Sequence, residues 1–107
     1  MSKGSSPAVI FTSRRTQGEA GYGEASDEMV ALAARQPGFI GIESARDASG
    51  LGITVSYWAS EEAIANWRRN DEHTAMRERG RSLWYAQYEV RVARVERGYA
   101  GPPGRAS

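Results

Sequence analysis

Residues 67–97 read WRRNDEHTAMRERGRSLWYAQYEVRVARVER. This stretch joins a charged helical segment to a long aromatic strand. It holds the only histidine, His73, and two of the three tryptophans, Trp67 and Trp84. Asn70 or Asp71 is placed to cap a short helix running to Arg79, and Gly80 stops it. From Trp84 to Arg97 the period changes to two. Trp84, Ala86, Tyr88, Val90 and Val92 fall on one face, and Tyr85, Gln87, Glu89, Arg91 and Ala93 on a more polar one.

Working outward, Ala8–Arg15 (AVIFTSRR) is a short β-prone run, and residues 16–23 (TQGEAGYG) form a glycine-rich loop. Helical spacing follows from Glu24 to Gln36, with Tyr22, Ala25, Met29 and Leu32 on one stripe. Glu24, Asp27 and Glu28 stand near its start, where the helix dipole favours acids, and Pro37-Gly38 ends it. Phe39–Arg46 reads as a second strand, DASG (47–50) as a turn, and Gly52–Trp58 as a third strand, so these strands form a hairpin. In the third strand Ile53, Val55 and Tyr57 share one face and Thr54, Ser56 and Trp58 the other. Ser60 is placed to cap a helix that carries Glu61 and Glu62 in its first turn and runs to about Arg69.

The order β-α-β-β-α-β predicts an α+β fold of the ferredoxin-like, split βαβ kind, with an antiparallel sheet. One domain is expected over residues 8–98, with flexible termini at 1–7 and 99–107. The helices can cover only one sheet face. The other carries aromatic and mixed side chains with nothing left in the chain to cover them, so a homodimer packed sheet to sheet is expected.

Composition removes several classes of function. The absence of cysteine excludes disulfides, thiolate nucleophiles, zinc fingers and iron–sulfur clusters. The formal net charge of +1, from 14 basic and 13 acidic residues, lacks the basic excess of nucleic-acid binders. No run approaches the ~18 apolar residues that cross a bilayer, and MSKGSSPA lacks a signal-peptide core, so a cytoplasmic protein without membrane contact is expected. Thirteen of the 14 basic residues are arginine, which reads as the codon usage of a GC-rich genome.

PGFIGIESARD (37–47), ITVSYW (53–58), EEAIANW (61–67), DEH (71–73), GR (80–81), WY (84–85) and RVARVER (91–97) together resemble the antibiotic biosynthesis monooxygenase superfamily. The resemblance spans nearly the whole domain. It implies a dimeric α+β barrel with a cavity between helices and sheet in each protomer. It further implies oxidation of a small planar phenolic or aromatic molecule by O₂, with no cofactor. A deprotonated phenol is electron-rich enough to reduce O₂ directly, so the protein need only exclude water, hold the ring and stabilise the anion. A haem- or small-ligand-binding relative and a non-catalytic dimeric binding module are the alternatives.

His73 is the candidate catalytic base, since an imidazole titrates near neutrality. A helix histidine bonded to a backbone carbonyl, or packed on Trp84, is the structural alternative. Arg81 is placed to hold a carboxylate or phenolate through its fork, or else to cap the helix end. Trp58, Trp67, Trp84 and Tyr85 are candidates for stacking on a flat substrate, against a core aromatic cluster that would claim at least two of them. Asn70 completes the substrate-binding set. It stands where related sequences often carry histidine, which removes a second imidazole and with it any two-histidine metal site. Haem degradation is disfavoured. Its pattern carries an asparagine on the first strand and a ligating histidine about ten residues after the helix tryptophan. Here strand one is AVIFTSRR, and ten residues after Trp67 stands Arg77.

Overall fold

The computed structural model describes residues 6–16, 22–79 and 84–101, with the side chains of Asp71, Glu72 and Met76 left aside. Its elements are β1 (Ser6–Arg15), α1 (Tyr22–Ala34), β2 (Phe39–Arg46), β3 (Leu51–Trp58), α2 (Glu61–Arg69), α3 (Asp71–Arg79) and β4 (Tyr85–Val95). The four strands form one antiparallel sheet in the order β2-β3-β1-β4, the ferredoxin-like α+β arrangement. β1 opens at Ser6, two residues before the expected boundary, because it stays paired with β4 as far as Val95.

Local chemistry accounts for the turns. The Asp47 carboxylate accepts hydrogen bonds from the backbone N–H of Ser49 (2.9 Å) and Leu51 (3.2 Å), closing the β2–β3 turn, and Gly50 takes φ +96° there. The Ser60 hydroxyl accepts from the Ala63 N–H at 3.0 Å and starts α2. Asn70 serves two helices. Its N–H closes the end of α2 on the Trp67 carbonyl (3.1 Å), while its side-chain oxygen accepts from the His73 N–H (3.0 Å) and caps α3. Gly38 adopts φ +88°, and a Cβ at that position would lie 2.6 Å from the Ala63 side chain. The Pro37-Gly38-Phe39 corner thus lets α2 approach the start of β2 closely.

The core lies on the face of β3 that carries Ser56 and Trp58. Trp58 is wholly buried, and around it pack Leu32 and Ala33 of α1 and Ala63, Ile64 and Trp67 of α2, with Val9, Met29 and Phe39 at the margin. The Trp58 indole N–H donates to the Ser56 hydroxyl at 2.9 Å, so its polar atom is satisfied inside the core.

The helices cover this face unevenly. α1 packs on β2 and α2 on β3. The same face continues across β1 and β4 through the pairs Val9–Val92, Phe11–Val90 and Ser13–Tyr88. There Tyr88, Val90 and Val92 remain 41, 44 and 53% exposed. The opposite face carries Ile10 from β1 and Ile53, Val55 and Tyr57 from β3, with Ile53 47% exposed.

One expectation about β4 is corrected. Alternation alone set Tyr85 on the polar face, opposite Tyr88. The register between β1 and β4 shifts between Arg14 and Arg15, so that Arg14 pairs with Gln87 and Arg15 with Tyr85. This bulge admits an extra residue, Ala86, and carries Tyr85 to the face of Phe11 and Tyr88. Phe11 meets the rings of both, at centroid distances of 5.3 and 5.7 Å.

Candidate functional site

The residues singled out in the sequence separate into two clusters. The first is a ladder at the junction of α2 and α3. Trp58 stacks on Trp67 at 5.8 Å, and Trp67 stacks on His73 at 3.8 Å with the rings within 15° of parallel. His73 Nδ1 lies 2.9 Å from the Trp67 carbonyl oxygen. A carbonyl only accepts, so Nδ1 carries the proton and Nε2 keeps the lone pair. Burial pushes the imidazole down to about 4, against the pull of that carbonyl, and the charges of Arg77 and Arg68 lower it further. His73 is therefore neutral and weakly basic.

Trp58, a stacking candidate in the sequence, has no exposed surface and belongs to the core. Trp67 is also buried, with His73 on one ring face and Trp58 beside it. Asn70 has its side-chain oxygen engaged as the cap of α3. Arg77 directs its guanidinium to the Arg68 carbonyl at 3.3 Å. Arg81 and Gly80 lie outside the described residues, as does most of the glycine loop, 17–21.

The second cluster gathers where β1, β2 and β4 meet the first turn of α1. Trp84 is buried, and its carbonyl accepts from the Thr16 N–H at 2.7 Å. The Tyr22 ring meets Trp84 edge-on at 5.8 Å and Tyr85 at 6.0 Å. The Arg15 guanidinium carbon lies 3.7 Å from the centre of the Tyr22 ring. Arg46, on the last residue of β2, donates to the Ser13 hydroxyl at 2.8 Å and to the Tyr22 hydroxyl at 3.4 Å, and also bonds the Gly50 carbonyl. Gly52 makes room for it: a Cβ there would stand 2.5 Å from the Arg46 guanidinium carbon.

Within this cluster the phenols diverge. Burial raises Tyr22, but a hydrogen bond with Tyr85 and the positive charge of Arg46 outweigh it and hold the group below the ordinary tyrosine value. Tyr85 moves the other way, raised by burial and then by its bond to Tyr22. With Tyr22 ionised, Tyr85 keeps its proton and is the donor of this bond. From this corner the rings of Phe11, Tyr85 and Tyr88 and the side chains of Val90 and Val92 continue as an apolar shelf along β1 and β4. Sequence reasoning did not single out Tyr22, Arg46, Arg15 or Phe11 as candidate site residues. Two signals bore on them: the tyrosine at the head of the α1 stripe and the arginine closing β2. Among the described residues, no three His, Cys, Asp or Glu side chains gather as a metal site. No described helix is long and apolar enough to cross a membrane.

A family profile described as antibiotic biosynthesis monooxygenase matches residues 9–79. The uncharacterized protein YqjZ of Bacillus subtilis (strain 168) is 58% identical over 90 residues, covering 84% of this chain and 79% of that protein. SnoaB, a cofactor-independent oxygenase from Streptomyces nogalater, has a similar solved structure. Its TM-score is 0.71 at 16% identity, over 94% of this chain and 99% of that one. A putative antibiotic biosynthesis monooxygenase from Nitrosomonas europaea superposes with a TM-score of 0.72 at 14% identity, over 92% of this chain and 96% of that one. At these identities the likeness to solved structures shows the fold alone.

Proposed function

Since the chain belongs to the antibiotic biosynthesis monooxygenase family, we propose that it is a homodimeric, cofactor-independent monooxygenase. In this reading it oxidises a small planar phenol with O₂ on the shelf of Phe11, Tyr85 and Tyr88. The observation that carries it is the joining of that apolar aromatic surface to the Arg15–Arg46 corner. A flat ring is held by edge and face contacts with the tyrosines and phenylalanine. Its ionised oxygen is stabilised by fixed guanidinium charge in a partly dry setting.

The reaction that such a surface supports balances without a cofactor. A phenol loses its hydroxyl proton, and the anion passes one electron to O₂. Recombination forms a C–O bond at the ring carbon para to the hydroxyl. Loss of water, which takes the second oxygen atom and two hydrogens, leaves the quinone. Arg81, just after Gly80, is retained as a second holder of substrate charge, and Trp84 and Tyr85 as walls of the site. His73 is given the role of fixing Trp67 and the α2–α3 junction, which its stack and carbonyl bond support. The dimer buries the second sheet face of Ile10, Ile53, Val55 and Tyr57, on the side of the sheet away from the shelf.

Oxygen uptake by protein stripped of metal, measured with a panel of hydroxylated naphthalenes and anthracenes, tests the reading. Uptake that depends on both protein and phenol is expected, and it should fall at least tenfold in Tyr88→Ala. Binding of the same compounds without oxygen consumption would overturn it in favour of a binding module.

A further inference from the structure

Tyr22 is the only described tyrosine held between two guanidinium groups. Arg15 from β1 lies over its ring at 3.7 Å. Arg46 from β2 reaches its hydroxyl at 3.4 Å. Tyr85 from β4 and Ser26 from α1 itself hydrogen-bond the same oxygen, and Trp84 meets the ring edge. None of these groups is a carboxylate. Among the described residues, a phenol so placed faces positive charge and hydrogen-bond donors from β1, β2, β4 and α1. Its anion is the species that this setting favours.

Arg46 is locked in position for this. It is anchored on the Ser13 hydroxyl at 2.8 Å and on the Gly50 carbonyl, and it lies flat against Gly52, which has no Cβ to displace it. Tyr22 itself is half-buried and abuts Tyr85, whose ring leads directly onto the Phe11–Tyr88 shelf.

We propose that Tyr22 is the proton acceptor of the site, its phenolate held by Arg46 and Arg15 and hydrogen-bonded by Tyr85. This rests on the reading that the shelf binds a planar phenol. The step moves one proton and no electrons. The O–H bond of the bound phenol breaks, the proton passes to Tyr22 Oη, and the negative charge passes to the substrate oxygen beside Arg46. Tyr85 stays protonated throughout, because its role is to donate to Tyr22. The lowered tendency of Tyr22 to hold its proton agrees with this geometry. The weak basicity of His73, which would make it a poor acceptor for a phenol proton, points the same way.

The test needs no substrate. The full chain is titrated toward alkaline pH while the ultraviolet absorbance of tyrosinate is followed. The five tyrosines should not ionise together: one should lose its proton ahead of the others. In Tyr22→Phe, which removes one oxygen atom, that first step should be absent. In Tyr85→Phe, and in Gly52→Ala, which keeps every charge but pushes the Arg46 guanidinium away, the step should move to higher pH. Circular dichroism at neutral pH checks that each variant is folded. An early step that survives in Tyr22→Phe, or a wild-type titration with no early step, overturns the proposal. If the step is lost in Tyr22→Phe while no phenol drives oxygen uptake, the proton-accepting site stands and the oxygen chemistry falls.

Discussion

At the scale of single residues, His73 shows how position changes chemistry. A free imidazole titrates near neutrality, but this one is stacked on Trp67 and bonded to its carbonyl, and burial holds it down to about 4. Its contribution to stability follows in sign. The folded protein resists protonating His73, while the unfolded chain takes up the proton first as pH falls. Stability is therefore complete above pH 6.5 and declines as pH falls from 6.5 toward about 4. Allowing for the part of the ring that water reaches, the loss is on the order of 2 kcal/mol. Urea unfolding across that window should show it, and His73→Gln, which keeps a donor for the carbonyl but cannot titrate, should lack it. An identical pH dependence in both proteins would reject this linkage. The presence of His73 on a helix was legible in the sequence. Its tautomer and weak basicity were not, because they depend on how Trp67 and the end of α2 enclose it.

At the scale of elements, the joints between helix and strand carry the constraint. Gly38 combines φ +88° with an approach that would put a Cβ 2.6 Å from Ala63. Gly38→Ala should cost about 2 kcal/mol or more, from left-handed backbone strain and from separating α2 from β2. A urea midpoint unchanged from wild type would refute that account. The sequence marked this corner as a helix stop through Pro37-Gly38, and it marked β2, the turn and β3 within a residue of their ends, because these are local preferences. β4 was harder. Its alternation was visible, but the bulge that brings Tyr85 to the face of Tyr88 arises from pairing with β1, about 70 residues earlier.

At the scale of the molecule, the sheet has two incompletely covered surfaces of different kinds. The shelf on the helix side is aromatic and ends in arginine, as a ligand surface requires. The far face carries Ile10, Ile53, Val55 and Tyr57 in its middle, with Glu89 and Arg91 on the neighbouring edge strand. An apolar centre with a charged rim is how interfaces between protein copies are built. Ile53→Glu should leave the fold intact, since the side chain is already 47% exposed. It should reduce the mass in equilibrium sedimentation from twice 11.7 kDa to that of one chain. A wild-type protein that sediments as one chain would sink the dimer.

Sequence by itself determined the order of elements, the hairpin, the helix stops and the family, because each rests on short-range preference or on motifs written along the chain. Only the tertiary structure decided which aromatics are core and which gather at the Tyr22 corner and the shelf beside it. Trp58 and Trp67 were absorbed by the core because α2 packs on β3. Tyr22, Arg15, Arg46 and Tyr85 became one site because β1 pairs with both β3 and β4, bringing together residues up to 70 positions apart in sequence. Such contacts depend on register and on which half of the sheet the helices cover, and neither is written in local spacing.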